Sequence, residues 1–275
     1  MACNAGGTAL AFVAEQGQAA QGAGTAAGAP VLAARGVSKL YGRFKAVDNV
    51  DLDVFDKRVH ALVGPNGAGK TTVLNLLGGQ ILPSSGEVLF DGRPLGASKP
   101  AHRARAGIGR SFQLTSVLAT FTCLENVVMA VQARRGMLRL LRPRSYAEDT
   151  ALAHEILKRV GLDDRAGVLA GQLAHGQQRQ LEVAIALGAR PRVLLLDEPS
   201  SGMSQHERQN LAALLRQVAQ TTAVVMVEHD VHLVRSVADT VTAFSEGRKL
   251  IEGSAEQVFA APEVQRVFLR GLHDV

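Results

Sequence analysis

The segment from residue 59 to residue 77 constrains the fold more than any other part of the chain. Val59-His60-Ala61-Leu62-Val63 is a short apolar run of the kind that forms a buried strand. It ends in Gly64-Pro65-Asn66-Gly67-Ala68-Gly69-Lys70-Thr71, after which Thr72 to Leu77 opens a helix. The octapeptide satisfies G-x-x-x-x-G-K-[ST], a phosphate-loop pattern that carries meaning only in this strand, loop, helix order. Gly67 and Gly69 let backbone amides, those of Asn66 and Ala68 among them, turn inward around phosphate oxygens, and the helix adds its positive N-terminal end. Lys70 then reaches the β and γ phosphates, Thr71 offers its hydroxyl to Mg²⁺, and Thr72 reaches the α phosphate. By itself the loop specifies a nucleoside triphosphate.

The rest of the chain is consistent with one sheet built around this loop. Val50-Asp51-Leu52-Asp53-Val54 alternates as a half-buried strand does. Three more short apolar runs of β type lie at Val193 to Leu196, Val224 to Val227 and Val241 to Phe244, with a helical stretch near Gln205 to Gln220 between the first two. Strands alternating with helices predict an α/β fold with a parallel sheet flanked by helices. Between Phe112 and Gly188 the pattern is helical instead, clearest at Leu124 to Val131, Ala147 to Val160 and Gln177 to Leu187, which predicts an inserted α-helical subdomain.

A second chemical element follows from the run Val193-Leu194-Leu195-Leu196-Asp197-Glu198. Four buried-type residues deliver two carboxylates to the C-terminal edge of a parallel sheet, where ligands bind in such folds. Asp197 is suited to hold Mg²⁺, and Glu198 to polarise the water that attacks the γ-phosphorus.

With these elements in order, the chain resembles the ATP-binding cassette (ABC) ATPases from about Val31 to Leu272. Further motifs carry the resemblance. Leu173-Ala174-His175-Gly176-Gln177 is similar to the signature L-S-G-G-Q, which in a partner subunit closes over the γ-phosphate. Gln113, within Arg110-Ser111-Phe112-Gln113, resembles the Q-loop glutamine at the metal and the catalytic centre. His229, within Val227-Glu228-His229-Asp230, resembles the switch histidine on the γ-phosphate. Tyr41 sits where the family stacks an aromatic ring on adenine, and Ser200-Ser201-Gly202-Met203 occupies the D-loop position. The resemblance implies a P-loop NTPase (RecA-like) core with an N-terminal antiparallel β subdomain. The Ala/Gly-rich residues 1–30 read from their composition as a disordered tail or an overextended start, and the resemblance sets the β subdomain and first core segment at 31–111 and the helical subdomain at 112–188. The second core segment is then 189–251 and a C-terminal helical extension 252–275.

The signature departs from the family pattern in two places. Ala174 replaces the usual Ser and His175 the usual Gly, so one hydroxyl to the γ-phosphate is lost. A hydrogen bond to a charged group is worth roughly 1.5 to 3 kcal/mol, which corresponds to about tenfold or more in closure. Gly176 and the helix beginning near Gln177 still present an anion site. Ser204 stands where many relatives have Asp at the end of the D-loop, which puts that cross-dimer contact in question.

Within the family, the phrases at 173–184, 197–203 and 227–230 resemble the ATPases of branched-chain amino-acid importers, as does the helical extension after Gln113 at Val131 to Tyr146. The resemblance implies ATP and Mg²⁺, catalytic roles for Lys70, Gln113, Glu198 and His229, and a place on the cytoplasmic face of the inner membrane. Because a signature serves the phosphate loop of another chain, one cassette per chain implies a dimer, and the altered signature favours a mixed one. Two transmembrane permease subunits and, indirectly, a periplasmic or extracellular binding protein complete the expected assembly. Two alternatives stay open: the ATPase of a lipid or lipopolysaccharide exporter, and a soluble ABC protein acting on nucleic acid or ribosomes. The latter proteins usually carry tandem cassettes, zinc modules or long coiled coils, none of which is visible, so no nucleic acid is expected.

Composition adds three constraints. Cys3 and Cys123 cannot build a disulfide framework and have no zinc-ligand spacing. The longest tempting apolar window, Leu114 to Val131, is interrupted by Glu125 and hydroxyls and does not make a membrane span. The first 30 residues hold eleven Ala and six Gly with no Lys or Arg, so the basic region of a signal peptide is missing. The net charge of +5 is also unevenly placed. Arg93, Lys99, Arg103, Arg105, Arg110, Arg134, Arg135, Arg139, Arg142 and Arg144 face the single Glu125, giving +9 locally and −4 elsewhere. That block reads as a docking signal toward anionic lipid or the acidic segments of a membrane partner, at about 1 kcal/mol per well-placed cation.

Overall fold

The computed structural model describes residues 28–110, 117–135 and 143–270. Gln113 and the tail before residue 28 lie outside the described residues. Two sheets organise the rest. Strands β1 (Leu32–Tyr41), β2 (Phe44–Val54), β4 (Ser85–Phe90) and β5 (Arg93–Pro94) form an antiparallel sheet in the order β2-β1-β4-β5. Strands β3 (Val59–Val63), β6 (Ile108–Arg110), β7 (Val193–Asp197), β8 (Ala223–Val227), β9 (Thr240–Ser245) and β10 (Arg248–Gly253) form the other, in the order β10-β9-β3-β8-β7-β6. Every pairing in that second sheet is parallel except β10 on β9. The α/β architecture expected from the sequence is therefore the one the chain adopts.

Both faces of the second sheet are covered, and the alternation of its strands shows how. Ala61, Leu194, Leu196, Val224 and Met226 pack on one side with helices α3 (Cys123–Arg135), α4 (Pro143–Arg159), α5 (His175–Gly188), α6 (Gln205–Ala219), α7 (Val231–Val237) and α8 (Ala255–Ala260). Leu62, Val193, Leu195, Val225 and Val227 pack on the other with α1 (Lys70–Gly78) and the antiparallel sheet. A strand buried on both faces reads as a continuous apolar run, which is why β3, β7 and β8 are legible in the sequence while the short β6 is not. The helices α2 (Pro100–Ala106) and α9 (Pro262–Arg270) complete the described elements.

The phosphate loop is held by backbone packing that admits no side chain. Gly64 has φ +144°, and a Cβ there would stand 2.2 Å from the Phe244 carbonyl oxygen at the end of β9. Gly69 has φ +94°, and a Cβ there would stand 2.5 Å from the Ala46 carbonyl oxygen on β2. The Gly247 N–H donates to the Ala68 carbonyl at 3.1 Å, and the Asp48 N–H to the Gly247 carbonyl at 2.8 Å. The β9–β10 turn and the antiparallel sheet thus clamp the loop from one side.

From the far end, α1 is fixed by Arg103. This arginine of α2 is 1% exposed. Its Nη1 donates to the Leu76 and Leu77 carbonyls at 2.6 and 2.8 Å, and its Nε to the Ser98 hydroxyl at 3.1 Å. A buried cation over the last carbonyls of a helix both satisfies them and meets the negative end of the helix dipole. Arg103 is therefore spent inside the protein, as is Arg110, whereas Arg93, Lys99 and Arg105 are exposed. The basic block is smaller as a surface than as a sequence, because two of its ten members hold α1 in place. Arg103→Met is expected to destabilise the chain by about 3 kcal/mol, since two buried carbonyls lose their donors. The corresponding fall in the melting midpoint, about 6–12 °C, is readable by circular dichroism.

Candidate functional site

The site forms where the loop after β3, the ends of β7 and β8, and the start of α1 meet. Lys70, the first residue of α1, is buried, and its Nζ donates to the Gly64 and Pro65 carbonyls at 2.7 and 2.8 Å. Burial pulls its ammonium below the usual lysine range, against the opposing pull of Glu198 and Asp197. The Thr71 hydroxyl donates to Asp197 Oδ1 at 3.2 Å, bringing together residues 126 positions apart. Gly67 has φ +78° and, with Asn66, is exposed, so that stretch of loop faces solvent. Thr72 follows one position on and is half-buried.

Asp197 is 6% exposed and carries a second partner that the motif reading missed. Arg110, at the end of β6, places Nη2 at 3.3 Å from Asp197 Oδ2 and donates from Nη1 to Asn75 Oδ1 at 2.5 Å. Burial raises the Asp197 carboxyl above its ordinary range, while Arg110 and the Thr71 hydroxyl draw it back down. Lys70 and Arg110 are thereby set against Asp197 and Glu198, two cations beside two carboxylates. Arg110 adjoins the Q-loop motif in sequence, but nothing in a lone arginine before Ser-Phe-Gln announces an ion pair with a strand 87 residues away.

Glu198 adopts φ +47°, in the left-handed region that non-glycine residues rarely enter. Its N–H donates to the Val227 carbonyl at 2.9 Å, extending the β7–β8 ladder by one residue before the chain turns at Pro199. Such a conformation costs of order 1–3 kcal/mol and persists where the surroundings enforce it, characteristically at reacting centres. Here it turns the chain at the sheet edge while keeping Glu198 next to Asp197. His229 follows β8 and is exposed. Tyr41 ends β1, is 51% exposed, and pairs across the hairpin with Phe44, itself 65% exposed. Phe44 is an aromatic neighbour that the sequence reading did not single out.

The signature residues begin α5. Ala174 is its N-cap, with no side-chain hydrogen bond to the helix, and Gln177 Oε1 accepts from the Ala174 N–H at 3.2 Å. Half of a capping box is present and the other half is missing, because alanine has no oxygen to offer. The cap therefore offers the first amides of α5 no side-chain acceptor, and the one at Gly176 is met instead by Glu207 of α6. Ala174→Ser is expected to raise stability by about 1 kcal/mol through a restored cap. A second measurement, ATP-dependent association with a partner cassette, is expected to strengthen by about tenfold. Unchanged melting and association would detach residue 174 from both roles.

Gly176 and Ser204 gain structural reasons that the motifs did not supply. A Cβ on Gly176 would stand 2.4 Å from Glu207 Oε1, so the glycine makes room for a carboxylate of α6. Glu207 Oε2 accepts from the Ser204 hydroxyl and N–H at 2.7 and 2.8 Å, a complete capping box at the start of α6. These bonds to Ser204, reinforced by the Gly176 amide and the His175 ring, hold the Glu207 carboxyl below its usual range. Serine at 204 is thus the cap of α6, and the D-loop residue Gly202 lies against the His175 imidazole, with a Cβ there 3.2 Å from Cε1. The D-loop and the signature touch within one chain.

A phosphate loop facing two carboxylates at the edge of a parallel sheet, with a helical segment between β6 and β7, defines an ATP-binding cassette. The ABC transporter family matches residues 47–201, and the chain belongs to that family. It is an ATPase of the cassette type. A high-affinity branched-chain amino acid transport ATP-binding protein of Pseudomonas aeruginosa, BraF, is 36% identical over 251 residues, covering 87% of this chain and 98% of BraF. Among solved structures, the ADP conformation of the cassette MJ1267 superposes with TM-score 0.78 at 25% identity, covering 87% of this chain and 98% of that one. A dimeric post-hydrolysis state of the cassette MJ0796, bound to ADP and Pi, superposes with TM-score 0.70 at 27% identity, covering 82% and 98%.

Proposed function

We propose that the chain is the ATP-hydrolysing, energy-coupling subunit of a membrane importer for branched-chain or related amino acids, working as one of two paired cassettes. The observation that carries the solute class is the 36% identity to BraF along nearly the whole of both chains. Lys70 binds the β and γ phosphates, exchanging the two carbonyls it now holds for phosphate oxygens. Thr71 and Asp197, adjacent hard-oxygen donors, fit Mg²⁺, with Gln113 as a third ligand. That ion, when bound, neutralises charge on the phosphates. Glu198 takes the proton of the attacking water, His229 and Gln113 contact the γ-phosphate and the water, and Tyr41 stacks on adenine. Ala174, His175, Gly176 and Gln177 close over the γ-phosphate of the partner's ATP.

Among the described residues no helix is long and apolar enough to cross a membrane. By likeness to the importer subunits, a separate permease supplies the channel. Two loops near the start of α3 carry the side chains that support such a contact. Leu118, Phe121 and Leu169 are each more than a third exposed, on two loops joined by the Ala170 N–H on the Phe121 carbonyl, the first of them also braced by the buried amide of Asn126 at the start of α3. Apolar side chains on a braced surface fit a docking face. The partner cassette is a different chain carrying an intact signature, and the pair sits on the cytoplasmic face of the inner membrane, fed by an external binding protein.

The test is uptake. Deleting the gene is expected to abolish high-affinity uptake of labelled leucine, isoleucine and valine, with rescue by the wild type and none by Glu198→Gln. Normal uptake of all three in the deletion strain would overturn the solute class, and loss of surface lipopolysaccharide instead would favour the exporter reading.

A further inference from the structure

Glu228, between the end of β8 and His229, has 0% exposed surface, yet no motif assigns it a task. Its Oε1 accepts from the Ser200 N–H at 2.9 Å, and its Oε2 from the N–H groups of His229 and Asp230 at 3.1 and 3.4 Å. The backbone of Glu228 is itself anchored, its N–H donating to the Leu62 carbonyl of β3 at 3.2 Å. Ser200 is 4% exposed and stands two residues after Glu198, in the turn that opens the D-loop. One buried carboxylate therefore joins the turn behind the attacking-water residue to the turn that carries the switch histidine.

The location matters because the sheet stops holding these two turns together at this point. The β7–β8 ladder ends with Asp197 opposite Val227 and the single further bond from the Glu198 N–H. Beyond it the two chains diverge, and Glu228 alone among the described side chains accepts from both. A carboxylate buried without a cation is costly unless several donors surround it. Three backbone N–H groups do so here, and the same three bonds fix the spacing of the two loops.

We propose that Glu228 is a positioning residue for ATP hydrolysis, setting His229 and the Glu198 turn at one fixed separation so that both meet the γ-phosphate together. The inference rests on the ATPase roles proposed above for Glu198 and His229. It differs from them in that Glu228 is fully buried and its carboxylate is taken up by three backbone N–H groups.

The experiment is a double-mutant cycle in single-turnover hydrolysis, with the protein in excess over labelled ATP and its partner cassette present. Glu228→Gln keeps the side-chain size but turns an amide NH₂ toward backbone donors, releasing one of the two loops. Hydrolysis is expected to slow by about 10- to 100-fold, the cost of a misplacement near 1 Å. ATP affinity, read by equilibrium nucleotide binding, is expected to stay within about twofold, because Lys70 and the phosphate loop, which carry the binding, are left in place. In a His229→Ala background the same change is expected to slow hydrolysis by less than about twofold, since no histidine remains to be placed. Glu228→Asp, which keeps the charge and is one methylene short, is the second variant and is expected to show the same dependence on His229 with a smaller loss. An equal loss with and without His229, or an undiminished rate in Glu228→Gln, overturns the proposal. Absence of turnover in the wild-type pair would instead overturn the ATPase roles on which it rests, so the two failures are distinguishable.

Discussion

Glu198→Gln is expected to lower steady-state ATP turnover by about 10²- to 10⁴-fold, the range a positioned general base supplies. ATP binding is expected to survive. The substitution is isosteric, so it leaves the φ of +47°, the N–H bond to Val227 and the neighbouring Asp197 as they are. What changes is the ability to accept a proton from water. Two cassettes that close on ATP and cannot hydrolyse it stay closed, because the γ-phosphate that bridges the loop of one and the signature of the other is never released. Size-exclusion chromatography with ATP and the partner cassette is therefore expected to show a stable dimer for Glu198→Gln and a transient one for the wild type. Phosphate release measured on the same samples gives the rate. Undiminished release would remove Glu198 from the role of base.

The fold was legible because its decisive elements are local. The five residues of β3, the glycine loop and the start of α1 are contiguous, and a doubly covered strand must be apolar throughout, so β7, β8 and β9 declare themselves. The helical stretches near 124–131, 147–160, 177–187 and 205–220 were found for the same reason, with their ends displaced by a few residues. The elements that escaped are those whose stability comes from neighbours. The three residues of β6 include Gly109, whose lack of a side chain brings it against Pro191, and they form a strand only because β7 pairs with them.

The site divides along the same line. Lys70, Thr71, Asp197 and Glu198 lie in short motifs with fixed order, so residue type and spacing single them out as candidates, while His229 is a candidate through the family resemblance. Arg103 and Arg110 were counted with the exposed cations, since a linear charge tally cannot distinguish a solvated arginine from one folded onto helix carbonyls or an aspartate. Glu228 had a weak signal, a carboxylate directly after five buried residues of a central strand. Glu207 had a stronger one, three residues after Ser204 in a capping-box pattern. Neither signal says what the second carboxylate oxygen or the opposite loop contacts, because those partners are set by packing between segments about thirty residues apart.

Lys70→Ala is the second change with a large expected effect, and its size follows from what the lysine already holds. Its Nζ is bonded to the Gly64 and Pro65 carbonyls and lies near Glu198 and Asp197. Binding ATP exchanges those partners for phosphate oxygens, so the net gain is the difference between two sets of charge-assisted bonds. At about 1.5 kcal/mol for each of two phosphate contacts, the low end of the range for bonds to charged groups, the loss is about 3 kcal/mol. That is about 10²-fold in ATP affinity. The free chain is expected to change less, because removing a buried ammonium relieves its own desolvation while freeing two carbonyls beside the solvent-facing loop. Thermal unfolding with and without ATP separates the two effects. At an ATP concentration about 100 times the wild-type dissociation constant, binding stabilises the wild type by about 2.7 kcal/mol, and a hundredfold weaker site retains only about 0.4 kcal/mol of it. The nucleotide-dependent shift in melting temperature is thus expected to nearly vanish in Lys70→Ala and to persist in Glu198→Gln. Lys70→Arg is not expected to restore it, since a planar guanidinium cannot occupy the compact cradle that a single ammonium fills between the two loop carbonyls. A full ATP-dependent shift in Lys70→Ala would show that the phosphates are held by the backbone of the loop alone.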